Sequence, residues 1–217
     1  MEWIKANPGQ FINNRPDKGG SGGNFVRRAI HQPNGLEPSA FTVDNYADDF
    51  ANESLGKAWD ILADLAPSLY DGGAYSSGNT QSIQLLSQSV VTMVPVWSDQ
   101  VLQAIEQGVL PAETGLVQLG DLALSGGFSR AVVLDNGANR DAAMKLADFI
   151  LSEEVQSAIL TELGGFPGVS WDHVSPELRE RFAAIVPLTI PTFPGGAWEA
   201  AINDGWYRNV APNVTRD

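Results

Sequence analysis

A short stretch dominated by glycine constrains the fold of this chain more than any other feature. Residues 19–28 read Gly-Gly-Ser-Gly-Gly-Asn-Phe-Val-Arg-Arg, so an apolar-periodic segment begins directly after four glycines and one serine. Glycine lets a backbone turn sharply and approach a ligand closely. If a helix starts near Gly23, its first amide groups lack an intrahelical partner and carry partial positive charge. The stretch therefore predicts either a site for an anionic or strongly polar group, with the Ser21 hydroxyl as a donor, or a flexible linker.

Segments of helical and of extended pattern alternate along the rest of the chain. Apolar residues recur at helical spacing over residues 53–70 and again from residue 139 onward. Continuous or alternating apolar runs at 90–97, 115–119 and 130–134 are typical of short strands. This alternation predicts an α/β fold with a mixed or parallel sheet flanked by helices.

Charge and cysteine content exclude several kinds of partner and site. The 217 residues carry a formal net charge of -13, which argues against nucleic acid or an anionic membrane as partner. No cysteine is present, so disulfides, thiolate metal sites and cysteine nucleophiles are excluded. The N-terminus has no apolar core or cleavage site of a signal peptide.

Residues suited to catalysis are scarce. The two histidines, His31 and His173, lack the spacing of a metal site, and we expect both to be structural or solvated. The sequence contains no GxSxG or HExxH motif and no P-loop lysine. The pairs at 48–49 and 153–154 are adjacent acids, which point to different sides of a helix. We therefore predict that the protein is not an enzyme and needs no cofactor or metal.

Four loops rich in glycine and hydroxyl groups stand at the ends of predicted strands or the starts of predicted helices. They are residues 20–24, 75–79, 97–99 and 125–129. In an open α/β sheet, ligands collect outside the carboxyl ends of the strands, where such loops converge. Main-chain amides, hydroxyls and the rings of Trp97 and Tyr75 would supply polar contacts and a stacking face. The pattern favours a binding protein over an enzyme.

Each of these loop residues also has a purely structural interpretation. Trp97 ends an apolar strand and could belong to the core, and Asp99 could simply favour the helix that follows it. Gly126 and Gly127 could turn a hairpin, and Tyr75 could be an exposed loop aromatic. The binding hypothesis therefore rests on the shared composition of the four loops, which are all rich in glycine and hydroxyl groups.

Several of these stretches together resemble a known family. The matching segments are residues 3–11, 21–27, 75–79, 125–128, 139–156 and 198–206. They resemble type II periplasmic solute-binding proteins of bacterial ABC importers (extracellular solute-binding protein family 1), and the closest branch is the YnjB-like group. The signature consists of a glycine loop, a strand, a helix after Asn139, and a Leu-Ser-x-Glu-x-Gln run.

The resemblance implies a three-layer lobe and a role in import. Members of the family have two α/β lobes joined by a hinge, with the ligand clamped between them. Here residues 1–217 resemble only the second lobe, with residues 187–217 as its C-terminal tail helix region. The resemblance further implies a periplasmic location, a small-molecule solute and a membrane permease as partners, and a homodimer through an exposed cleft or hinge face.

The resemblance also implies ten ligand contacts. They fall into a helix start, the cleft wall and the hinge side: Ser21, Gly22 and Asn24; Tyr75, Trp97, Ser98 and Asp99; and Gly126, Gly127 and Phe128. The helix start favours an anion, whereas Asp99 favours a cation. A zwitterion, or an anionic molecule with a cationic or aromatic part, would satisfy both, and thiamine-like, polyamine, phosphonate, sugar and iron ligands stay open.

Two other hypotheses compete with solute binding. An enzyme could use the loop at 20–24 to hold a phosphate, although no base or metal set accompanies it. Alternatively, the chain could be an interaction module without a ligand, in which case alanine at Ser21 and Trp97 would change only stability.

Overall fold

The fold of the chain is mainly helical. The structure, a computed structural model, describes residues 1–18, 20–127, 129–183, 185–186 and 190–216. The helices are α1 (Glu2–Ala6), α2 (Gly20–His31), α3 (Asp48–Leu65), α4 (Asn79–Ser87), α5 (Ser98–Glu106), α6 (Arg140–Ile150), α7 (Glu153–Leu163), α8 (Pro176–Phe182) and α9 (Ala197–Asn209). Short 3-10 turns occur at Gln32–Asn34, Pro38–Ala40, Ala66–Ser68, Tyr70–Gly72 and Trp171–His173. No helix in the described ranges combines the length and the hydropathy needed to cross a membrane.

The described residues contain no sheet, so the predicted α/β fold with a mixed sheet flanked by helices is wrong. Helix accounts for 52% of these residues and strand for 2%. Two isolated parallel bridges, Phe11 with Met93 and Asn14 with Ser76, take the place of a sheet. The extended segment at residues 10–15 thus pairs with one segment on each side, and neither bridge continues into a ladder of hydrogen bonds.

The predicted strands at 115–119 and 130–134 show why the pattern was misleading. Neither segment is a strand, and Val117 and Val132 are 80% and 77% exposed. Alternating apolar residues show which side chains can share a face, but a strand also needs a partner to receive its backbone hydrogen bonds. Among the described residues, no such partner lies beside these two segments.

The chain divides into two compact units. Unit 1 comprises Met1–Trp97, Leu119–Gly126 and Thr189–Asp217, and unit 2 comprises Ser98–Gln118 and Gly127–Leu188. Helix α9 lies within the predicted tail region at 187–217. The assignment of residues 1–217 to one lobe stays a prediction.

The core of unit 1 is built by α2, α3 and α9. Helix α3 buries the face that contains Leu55, Trp59 and Leu62, as its helical spacing predicts. It ends at Leu65 because Pro67, which cannot continue an α-helix, follows within two residues. Helix α9 buries Trp198, Ile202 and Trp206, which recur every four residues along one face.

The core of unit 2 is smaller. Leu160 of α7, Val174 and Phe182 of α8 are buried together, and Leu102 of α5 packs against them. The Ser152 hydroxyl accepts a hydrogen bond from the Val155 N–H at 3.4 Å and so caps α7. Helix α6 buries none of its residues.

Candidate functional site

The buried Ser21 side chain ties the first turn of α2 to two other segments. Its Oγ lies 2.9 Å from Asn14 Oδ1 and 2.5 Å from Asn79 Oδ1. The Asn14 amide in turn donates to the Lys18 carbonyl oxygen at 3.3 Å. The start of α2, the segment at residue 14 and the start of α4 therefore meet at one buried polar cluster.

Two glycines of this first turn allow close packing. A Cβ on Gly22 would lie 1.9 Å from the Asn14 carbonyl oxygen, which is far inside van der Waals contact. A Cβ on Gly20 would lie 2.2 Å from the Trp97 ring. The glycines thus bring residue 14 and the half-buried Trp97 indole against the helix start.

Arg27 bends back toward the same helix start. A Cβ on Gly23 would lie 2.8 Å from Arg27 Nη1, and Nη1 donates to Asn24 Oδ1 at 3.2 Å. Burial lowers the pKa of the Arg27 guanidinium, while the charge of Glu199 opposes that shift. Within the described ranges, no ion pair joins Arg27 to a carboxylate.

This position is electrostatically unusual for an arginine. The N-terminus of a helix carries partial positive charge, so a cation folded onto it is repelled rather than stabilised. Desolvation adds a further penalty, of which the charge of Glu199 offsets a part and the neutral Asn24 amide little. An anionic group bound at the first turn of α2 would relieve both effects.

Tyr75 is half-buried and packs against the core of unit 1. Its ring centroid is 4.7 Å from that of Trp206 in an edge-to-face arrangement. Burial raises the pKa of the Tyr75 phenol to about 12. The Tyr75 ring therefore packs against α9.

The glycines predicted to lie on the hinge side have different surroundings. The Gly126 N–H donates to the Pro191 carbonyl oxygen at 3.0 Å, and a Cβ on Gly126 would lie 2.2 Å from Ile190. Gly127 is exposed, and a Cβ there would have no neighbour within 4 Å. Phe128 lies outside the described residues.

Ser98 and Asp99 open α5 in unit 2. Ser98 is half-buried, and the Asp99 side chain is exposed in the first turn of the helix. The backbone of Asp99 packs against Gly164, where a Cβ would lie 3.1 Å from the Asp99 Cα.

The structure therefore brings together part of the predicted site. Ser21, Gly22, Asn24 and Trp97 gather at the first turn of α2, whereas Tyr75 packs on α9 and Gly126 on residues 190–191. Sequence reasoning missed Asn14 and Arg27. The signal for Arg27 was its position four residues after Gly23, because side chains four apart on a helix share a face.

The last residue of α2, His31, is a buried polar residue that packs against aromatic rings of the core. His31 is fully buried against the rings of Phe41 and Phe193, and neither of its ring nitrogens has a hydrogen-bond partner in the described structure. Burial, helped by the charge of Arg28 and opposed by Glu37, lowers the pKa of His31 to about 4. Among the described residues, no group of three His, Cys, Asp or Glu side chains is placed to hold a metal ion.

Comparison with known proteins gives the family of the chain. The family described as bacterial extracellular solute-binding protein matches residues 1–171. No curated protein matches the chain. The match spans well over half of the 217 residues and includes both the glycine stretch and the start of α7. The chain belongs to the bacterial extracellular solute-binding protein family, which gives it a small-molecule ligand and a role in transport.

Proposed function

We propose that the protein is the substrate-binding component of a bacterial ABC importer and that it works in the periplasm with a membrane permease as partner. The first turn of α2 is the proposed ligand site, with the main-chain amides of Ser21 and Gly22, the Arg27 guanidinium and the Trp97 ring as contacts. Asn24 orients Arg27 through its hydrogen bond at 3.2 Å. The side chain of Ser21 holds the loop in shape through Asn14 and Asn79.

The observation that carries this proposal is the position of Arg27. Its half-buried guanidinium lies against the first turn of α2 at Gly23 and donates to the neutral Asn24 amide, while the charge of Glu199 acts on it without forming an ion pair within the described ranges. Amides at a helix start and a bidentate guanidinium are both suited to carboxylate, phosphate or phosphonate groups. The preferred solute is therefore a small molecule with an anionic group and a planar or apolar part that can lie on Trp97.

The experiment is a calorimetric titration of the full chain with a panel of solutes. The panel contains thiamine, thiamine monophosphate, 2-aminoethylphosphonate, an amino acid, spermidine and glucose. We expect binding of one or more anionic members and none of spermidine or glucose. Binding of thiamine monophosphate without binding of thiamine would assign the contact to the phosphate.

A pair of arginine variants makes the test specific. Arg27→Gln removes the charge at the helix start, and Arg208→Gln removes the same charge from an exposed position of α9. Because a hydrogen bond to a charged group contributes about 1.5–3 kcal/mol, Arg27→Gln should weaken the binding of an anion at least tenfold. Arg208→Gln should leave it unchanged. Tight binding of spermidine or glucose that survives Arg27→Gln would place the ligand site elsewhere.

A further inference from the structure

Unit 2 contains a groove bounded by α5, α7 and α8. Its volume is about 410 Å³, which lies within the range of small-molecule sites, about 300–1,000 Å³. Leu102, Ile105, Leu160 and Phe182 form an apolar floor. Leu160 and Phe182 are 1% and 5% exposed, so the floor is part of the packed core of the unit.

Two carboxylates line this groove, and neither has a basic partner in the part of the chain that the structure describes. Glu106 is the last residue of α5, and Glu162 is the next-to-last residue of α7. No ion pair in the described ranges involves either side chain. The C-terminus of a helix already carries partial negative charge, so each carboxylate adds to that charge.

Arg181 is the basic residue among the described residues that line the groove, and it forms no ion pair with Glu106 or Glu162. Its guanidinium carbon lies 5.2 Å from the centroid of the Phe182 ring, a cation–π contact rather than an ion pair. The net charge of the lining is therefore negative.

The end of α7 adds further negative potential. The Leu163 carbonyl oxygen accepts a hydrogen bond from Gln103 Nε2 at 2.8 Å, and the Gly165 N–H donates to the Ile159 carbonyl oxygen at 3.2 Å. The helix stops at Gly164, with φ of +66°, and although these two carbonyl oxygens accept hydrogen bonds, the C-terminus of α7 keeps the partial negative charge of the helix dipole. The helix end and the two carboxylates together give this wall a negative potential, which is suited to an ammonium group.

We propose that this groove is a second binding site, for a small organic cation with an ammonium group on an apolar body. The ammonium lies between Glu106 and Glu162, and the apolar body packs on Leu160 and Phe182. The charge of the wall selects against anions, and the apolar floor selects against inorganic cations. This site lies in unit 2 and is independent of the solute site proposed at α2.

Three probes of one size and shape test the charge preference. The isotopically labelled full chain is titrated with 2-phenylethylammonium, 2-phenylethanol and phenylacetate, and amide chemical shifts are followed by NMR. We expect saturable shifts for the ammonium probe, centred on residues 102–107 and 160–164, and weaker or no shifts for the other two. Equal shifts for all three probes, or shifts of the ammonium probe elsewhere, would overturn the proposal.

Matched variants test the two carboxylates. The double variant Glu106→Gln, Glu162→Gln should lower the affinity for the ammonium probe about tenfold, because each exposed ionic contact contributes a few-fold to affinity. Glu153→Gln with Glu177→Gln makes the same charge change at the starts of α7 and α8, outside the groove, and should leave affinity unchanged. If both double variants weaken binding equally, the effect is one of net charge, and the proposed site is wrong.

Arg27→Gln separates this proposal from the function proposed at α2. It should leave binding of the ammonium probe at residues 102–107 unchanged. Loss of the ammonium shifts at the groove in that variant would show that the probe does not report on an independent site.

Discussion

The His31 ring is fully buried between Phe41 and Phe193, and its pKa is lowered to about 4 from an ordinary value of 6.5. In the unfolded chain the imidazole takes up a proton as the pH falls through about 6.5, whereas the folded protein resists protonation until about pH 4. The unfolded state therefore binds more protons in this window, so the free energy of unfolding falls as the pH falls. The two pKa values set the loss at about 3 kcal/mol once the pH is below 4.

Replacement of the imidazole isolates this effect from the titration of the acids. Urea unfolding of the wild type and of His31→Phe is measured at pH 7 and at pH 4.5. The variant should lose less stability than the wild type between these values, because it has no buried imidazole to protonate. His173→Gln, at an exposed position, is the control and should follow the wild type. A wild type and a His31→Phe variant with the same pH dependence would contradict the predicted role of burial.

Contact between α2 and residue 14 depends on the absence of a side chain at Gly22. A methyl group in Gly22→Ala would meet the Asn14 carbonyl oxygen at 1.9 Å, so the helix or the segment must move. Overpacking of this kind typically costs about 1–3 kcal/mol. Gly56→Ala in α3 is the control, because its Cβ meets nothing within 4 Å and alanine favours a helix by about 0.5–1 kcal/mol. Urea unfolding should therefore give opposite signs for the two variants, and equal effects would contradict the close contact.

The elements that the sequence predicts well are those stabilised by local interactions. Helix α3 was expected at 53–70 and is found at Asp48–Leu65, because its apolar spacing and Pro67 act within the helix itself. The end of α7 at Gly164 follows in the same way from the left-handed conformation that glycine favours. The prediction of a sheet was wrong because a sheet requires pairing between distant segments. No pattern at 115–119 or 130–134 specifies such a pairing partner.

Nonlocal contacts also explain what was missed near the site. Arg28 donates to the Leu122 carbonyl oxygen at 2.9 Å and to Asp121 Oδ2 at 2.7 Å, and so holds residues 121–122 against α2. These partners are more than ninety positions away along the chain, and neither segment carries a motif for the other. Trp97 reaches Gly20 in the same way. Residue types near a helix start could be predicted, whereas the partners of each side chain depend on the tertiary fold.

Across the whole molecule, burial is distributed unevenly between the two units. Unit 1 has a core of large side chains from α2, α3 and α9. Among the described residues of unit 2, Leu160, Val174 and Phe182 form a cluster, and smaller side chains such as Val101 and Ala104 are also buried. Helix α6, in unit 2, buries none of its residues, and its Leu146 and Phe149 are exposed. Local opening requires less free energy where few apolar contacts must be broken. We therefore expect the backbone of α6 to open far more often than that of α3.

Hydrogen exchange followed by mass spectrometry measures this difference within one sample. Peptides that cover residues 140–150 should exchange early, and peptides from residues 51–65 should be the slowest, because Ala58 and Leu65 of α3 are almost completely buried. The α9 peptide around Trp206 should share the slow rate, since α9 and α3 belong to one core. Protection of α6 equal to that of α3 in the full chain would mean that its apolar face is covered in solution. In that case a partner or a further contact of this chain must pack on Leu146 and Phe149, and cross-linking at Lys145 would identify it.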